Sequence, residues 1–85
     1  SPALRAELMS VLQSAPSRLI VDLSDVAYMD SSGVATLVEA MQVQHQKNNK
    51  IVLCALQPRV SGIFRISRLD SIFTIVESRE AAVNA

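Results

Sequence analysis

Three short apolar runs, separated by stretches of helical periodicity, constrain this chain more than any other feature. They are Leu19-Ile20-Val21-Asp22-Leu23, Ile51-Val52-Leu53-Cys54-Ala55 and Ile72-Phe73-Thr74-Ile75-Val76, all rich in β-branched residues. Near-continuous hydrophobicity, without alternation, suits parallel strands covered on both faces. The first run therefore reads as an interior strand, the second as a buried strand and the third as a strand from 72 to 76. Between them the apolar period lengthens to that of an amphipathic helix. Leu4, Leu8, Val11 and Leu12 share one face of a first helix, with Ser1 as a candidate cap and Pro2 tolerated in its first turn. Ser14-Ala15-Pro16-Ser17 ends it, because proline disfavours helical geometry in the residue before it. Val34, Leu37, Val38 and Met41 mark a second helix running to about Lys47, where Asn48-Asn49 can take left-handed geometry. Pro58 opens a third, with Val60, Ile63 and Phe64 inward and Arg59, Arg65 and Arg68 mostly outward. Ser78 caps a fourth, with Glu80 favourably placed in its first turn. Helices alternating with strands predict right-handed crossovers and a mostly parallel sheet, hence one α/β domain over residues 1–85.

Composition removes several functions. Eight basic residues balance eight acidic ones, which argues against binding to nucleic acid through excess positive charge. Tyr28, Phe64 and Phe73 are the only aromatics, too few for a base-stacking platform. The longest apolar run around Cys54, Ile51 to Leu56, is far short of the ~20 residues that span a bilayer, so membrane insertion is not expected. A single cysteine makes no internal disulfide and points to a reducing, cytoplasmic setting. One His and one Cys cannot form a zinc or redox-metal cluster, so no metal or other cofactor is expected. His45 reads as a surface helix residue and Cys54 as a buried small hydrophobe. If Ser32 opens the helix that carries His45, helical rise separates them by ~20 Å, and a serine–histidine triad fails. Catalysis by this chain is not expected.

The informative polar segment is Asp30-Ser31-Ser32-Gly33. With Asp30 as N-cap, Ser31 and Ser32 occupy the first helical positions, and Asp30 can accept from the amide of Ser32 or Gly33. Ser31 reads as structural, its hydroxyl serving the helix start, and Gly33 as leaving space beside Ser32 for an approaching partner. Asp22 reads as a hydrogen-bonded loop anchor rather than a catalytic acid. Tyr28 and Met29 are either exposed contact residues or a lid over the core. The Arg59, Arg65 and Arg68 group reads as a solvated helix face. By local physics alone an ordinary capping sequence is favoured over a switch at this loop.

The segment from Leu19 to Leu37, an apolar strand ending in Asp22-Leu23-Ser24, a short loop, then Asp30-Ser31-Ser32-Gly33 and small apolar residues, resembles the STAS family. More narrowly, it is similar to the bacterial anti-sigma factor antagonists. Pro58-Arg59-Val60 through Phe64, Arg68-Leu69, Ile72-Phe73 and Ser78 to Ala82 fit the family's final third, so the likeness covers nearly the whole chain. Family members usually begin with one or two strands before the first helix, and this chain begins inside that helix; the sheet is expected to lack those strands and to keep an unpaired edge. The resemblance implies a phospho-switched binding module. Ser32, with Ser31 as runner-up, is the implied phosphorylation site. The implied partners are an anti-sigma factor with serine kinase activity, which the unphosphorylated form binds so that a sigma factor is released, and a phosphatase. The contact surface is expected to centre on Asp25, Tyr28, Met29, Asp30, Ser31, Ser32 and Gly33, with Tyr28 and Met29 as apolar anchors. The alternative within the family is a STAS accessory subunit of a lipid-transporting ABC complex, or of an anion transporter or sensory complex, without a phospho-switch.

Overall fold

The structure, a computed structural model, describes residues 2–85. Along the chain it comprises α1 (Pro2–Gln13), β1 (Arg18–Asp22), α2 (Ser31–Gln46), β2 (Lys50–Cys54), α3 (Pro58–Ile66), a 3₁₀ turn (Leu69–Ser71), β3 (Thr74–Val76) and α4 (Arg79–Val83). The expected cap at Ser1 lies outside the described residues. The strands form one parallel sheet in the order β1-β2-β3, with Leu19 opposite Ile51, Val21 opposite Leu53 and Cys54 opposite Val76. Both the α/β class and the alternation of elements are as the sequence predicts.

Side-chain alternation along the strands sends the apolar residues to two layers. Leu19, Val21, Ile51 and Leu53 join Leu8, Leu12, Leu37, Ala40, Val60 and Phe64 in the main core, which α1, α2 and α3 cover. Val52 and Cys54 face the other way, against Ala82 of α4, with Ile20 and Val76 packed beside them. A side chain as fully buried as Leu37 or Phe64 contributes roughly 1.5–3 kcal/mol, so the main layer supplies most of the stability.

The structure corrects two expectations. Among the described strands β1 is an edge, not an interior strand, and only β2 has neighbours on both sides. The burial pattern follows: Ile51 to Cys54 of β2 are all buried, whereas in β1 only Leu19 and Val21 are, with Ile20 half-buried. The third strand also starts at Thr74 rather than Ile72. Arg68 takes a left-handed conformation (φ 59°), and the amides of Ile72 and Phe73 both donate to the Leu69 carbonyl, at 3.1 Å each. Amides consumed by that turn cannot enter the ladder. Ile72 is left exposed, while Phe73 turns inward and meets Phe64 edge-to-face, with ring centroids 5.7 Å apart.

One buried polar residue organises the end of the sheet remote from the Asp30 loop. Gln44 of α2 is fully buried, and its Nε2 donates to the carbonyls of Pro16 (2.9 Å) and Lys50 (2.7 Å), where the chain enters β1 and β2. Its backbone carbonyl also accepts from Asn49, behind the left-handed Asn48. A glutamine in an amphipathic helix carries no sequence signal of this role.

Candidate functional site

At the opposite end of α2 the β1–α2 loop is tied down at three points. The Leu23 amide donates to the Cys54 carbonyl (3.0 Å), extending the sheet pairing one residue past β1. Asp22 Oδ1 accepts from the Ser24 amide (2.9 Å), which places Asp22 as the loop anchor. The Ser24 hydroxyl and amide hold its carboxyl below the usual range, opposed by burial and aided by Arg79, whose Nε lies 3.6 Å from Oδ2. The Ser24 carbonyl accepts from Gln57 Nε2 (2.6 Å), so the residue before α3 also positions this loop. Sequence reasoning had not singled out Gln57.

Asp30 is the N-cap of α2, with extended backbone (φ −90°, ψ −178°). Its Oδ1 accepts from the Gly33 amide (2.9 Å) and from the Ser32 hydroxyl (2.8 Å). These two bonds, the Gly33 amide first, hold the Asp30 carboxyl below the usual carboxylate range against the opposing effect of burial. Ser31 and Ser32 are both exposed. The hydroxyl that serves the helix start is therefore that of Ser32, not Ser31, which corrects the sequence expectation. Thr36, buried one turn on, donates from Oγ1 to the Ser32 carbonyl (2.9 Å) and braces the same turn.

Tyr28 and Met29 separate. Tyr28 is 62% exposed, whereas Met29 is 4% exposed and belongs to the main core. Met29 is the lid, and its expected role as a surface anchor is corrected. Gly33 is corrected with it: it is buried, and a Cβ added there would lie 2.7 Å from Met29 Cγ. The missing side chain makes room for Met29 from within rather than for a partner from outside. Asp25 to Asp30, with Leu4 of α1 and Gly33, line an open pocket of about 360 Å³. Six consecutive loop residues, four of them expected contacts, thus converge on one concavity. Its lining has two carboxylates, Asp25 and Asp30, and no Lys or Arg. Leu4 enters only through the packing of α1, a contribution the loop sequence does not reveal.

The other candidates lie elsewhere. His45 is exposed near the far end of α2, and Cys54 is fully buried in β2, where burial pushes its thiol up. Arg59, Arg65 and Arg68 are exposed, the first two on α3 and the third just beyond it. No helix among the described residues is long and apolar enough to cross a membrane.

A parallel sheet covered on one face by α1, α2 and α3 and on the other by α4, with a capped Asp-Ser-Ser-Gly turn opening α2, defines a class that comparison with known proteins identifies. A solved structure from Thermotoga maritima, described as a candidate anti-sigma factor antagonist, superposes with a TM-score of 0.87 over 95% of this chain and 73% of its own, at 18% identity. At that identity the likeness establishes the fold. The STAS domain pattern matches residues 1–82, and the chain belongs to the STAS domain family. Among its relatives, the candidate anti-sigma factor antagonist BtrV of Bordetella bronchiseptica is 35% identical over 82 residues, 96% of this chain and 71% of that protein. An anti-sigma-B factor antagonist of Listeria monocytogenes is 37% identical over 57 residues, 67% of this chain and 50% of that protein. One from Staphylococcus aureus is 25% identical over 79 residues, 93% of this chain and 73% of that protein.

Proposed function

We propose that this chain is an anti-sigma factor antagonist whose binding is switched by phosphorylation of Ser32. Unphosphorylated, it docks on an anti-sigma factor through the pocket end of α2 and so releases a sigma factor. The anti-sigma factor's serine kinase activity phosphorylates Ser32 and ends the complex, and a phosphatase restores it. The chain acts in the cytoplasm as substrate and ligand, with no catalytic cycle of its own. The observation that carries this reading is the Ser32 hydroxyl, exposed in the first turn of α2 and bonded to a carboxylate that lines the pocket.

The physical basis of the switch is charge. A phosphoryl group adds about −1.5 to −2 at pH 7. At Ser32 it falls beside Asp30, next to a pocket whose described lining holds no Lys or Arg to pair it. The helix N-terminus offsets part of that charge, but a docked surface would have to desolvate the remainder. Tyr28, exposed at the same pocket, is the apolar anchor in this reading, and Met29 acts beneath it by shaping the pocket floor.

Incubation with the cognate anti-sigma kinase and ATP, followed by peptide mass spectrometry, is expected to place phosphate on Ser32. Ser32→Asp should weaken partner binding by more than about 1.4 kcal/mol, a tenfold change, and leave stability within about 1 kcal/mol. Phosphate on Ser31 alone, or equal affinities for Ser32→Asp and Ser32→Ala, would reject the switch.

A further inference from the structure

The chain carries no net charge, yet its fold sorts the charges by end. Parallel strands put all their C-terminal ends on one side of the sheet. There stand Asp22 at the end of β1, Asp25 and Asp30 in the loop that follows, and Glu77 and Glu80 after β3. The cations at that end are Arg79, 3.6 Å from Asp22, and Arg59 in the first turn of α3. At the other end Arg18 and Lys50 open β1 and β2, Lys47 follows α2, and Arg65 and Arg68 close α3, all of them exposed. Asp70 is the acid there. Each end also presents apolar surface. Tyr28, 62% exposed, stands out from the acidic loop. Ile72, 51% exposed, lines an open cavity of about 220 Å³ at the basic end, together with Met41, Ile51, His45 and Lys50. No Asp or Glu side chain belongs to the described lining of that cavity. A cavity of about 150 Å³ holds benzene, so there is room for one tyrosine ring.

We infer that a second copy of this chain docks at the basic end, with Tyr28 of one copy entering the Ile72 cavity of the next. A second copy is the occupant for which both complementary surfaces are present, an acidic loop bearing an exposed ring and a basic, partly apolar socket. Nucleic acid suits the socket less well, because Phe64 and Phe73 are buried and leave no ring at that end for a base to stack on. Burial of the tyrosine supplies the affinity, and the opposed charges around it set the orientation and speed the encounter. Loop and socket lie at opposite ends of α2, whose 16 residues span ~24 Å. The contact is therefore heterologous and does not close: every bound copy keeps a free Tyr28 at one end or a free socket at the other, and assembly runs head to tail. The contact needs no other protein. On the reading that the anti-sigma factor also docks over Tyr28, the two associations exclude each other.

Sedimentation velocity on the full chain alone tests this. At about 0.01 M salt, where charges act over about 30 Å, the weight-average sedimentation coefficient should rise with concentration beyond that of a dimer. At about 1 M salt, where screening shortens that range to about 3 Å, it should fall back toward the monomer value. Tyr28→Ala removes the ring and Ile72→Arg fills the socket; each should weaken self-association about tenfold or more. Both positions are exposed, and circular dichroism checks that each variant is folded. Mixed in equal amounts, the two variants should form dimers and nothing larger, because the intact socket of Tyr28→Ala takes the intact ring of Ile72→Arg. A wild-type chain that stays monomeric at about 1 mM in low salt would overturn the inference. So would a species that stops at a symmetric dimer, a Tyr28→Ala chain that assembles like wild type, or a mixture that stays monomeric. With no anti-sigma factor in the cell, any of these failures leaves the proposed function standing, and a failure of Ser32 to take phosphate leaves this contact standing.

Discussion

Alanine at the two glycines should shift stability in opposite directions, because their surroundings differ while the chemistry of the change is the same. Gly62 lies inside α3, has no positive φ, and a Cβ there would meet nothing within 4 Å. Gly62→Ala therefore removes backbone freedom from the unfolded chain at no steric cost and should stabilise by about 0.5–1 kcal/mol. Gly33 is also helical, at the third position of α2, so a gain of at most about 1 kcal/mol is available there too. Against it stands the 2.7 Å approach to Met29 Cγ, when carbon atoms pack at about 3.5–4.0 Å. Met29 would have to move by about 1 Å within a packed core, and overpacking of that kind costs about 1–3 kcal/mol. Methionine is flexible, which places the cost toward the lower end. The net expectation for Gly33→Ala is a loss of about 1 kcal/mol, leaving the two variants about 2 kcal/mol apart. In thermal denaturation of a domain this size, each kcal/mol corresponds to about 4–8 °C in Tm. Met29→Ala combined with Gly33→Ala should cost less than the sum of the single changes, since the shorter side chain vacates the contested space. A Gly33→Ala protein as stable as Gly62→Ala, or strict additivity in the double variant, would refute the role assigned to Met29.

Gln44→Leu should cost about 1–3 kcal/mol in urea unfolding, because the part-buried bonds to the carbonyls of Pro16 and Lys50 are both lost. Asp22 and Asp30 both titrate below their unfolded values, so the stability they contribute is present above the ordinary carboxylate pKa and lost as pH falls through the lowered folded values. Urea midpoints measured from about pH 5 to pH 2 should therefore fall with acid, less steeply for Asp22→Asn than for wild type. In a binding titration with the anti-sigma factor, Tyr28→Ala should weaken the complex more than Lys47→Glu, since Lys47 caps the far end of α2, ~20 Å away by helical rise. The reverse order would move the contact surface away from the pocket.

The class of fold and the start of α2 were legible because both are written in local chemistry. Three β-branched runs separated by helical periods leave few arrangements other than a parallel sheet, and Asp30, Ser78 and Asn48 occupy the positions that capping rules assign them. Asp22 as an anchor followed from the same short-range logic. What sequence left open was settled by neighbours distant in the chain. Whether Met29 faced solvent or core depended on the space that Gly33 leaves and on the packing of α1, and no pattern within Val26-Ala27-Tyr28-Met29 encodes that. Ser31 and Ser32 are equivalent as letters, and only the direction of the first helical turn decides which hydroxyl reaches Asp30. Ile72 has every propensity of a strand residue, yet its amide is taken by the turn at Leu69. Gln44 reads as one more polar helix residue until Pro16 and Lys50 arrive on either side of it. Local sequence sets which elements form and where they are capped, because those interactions lie within a few residues. Burial and hydrogen-bond partnership depend on which surfaces meet, and that is decided only when the helices close over the sheet.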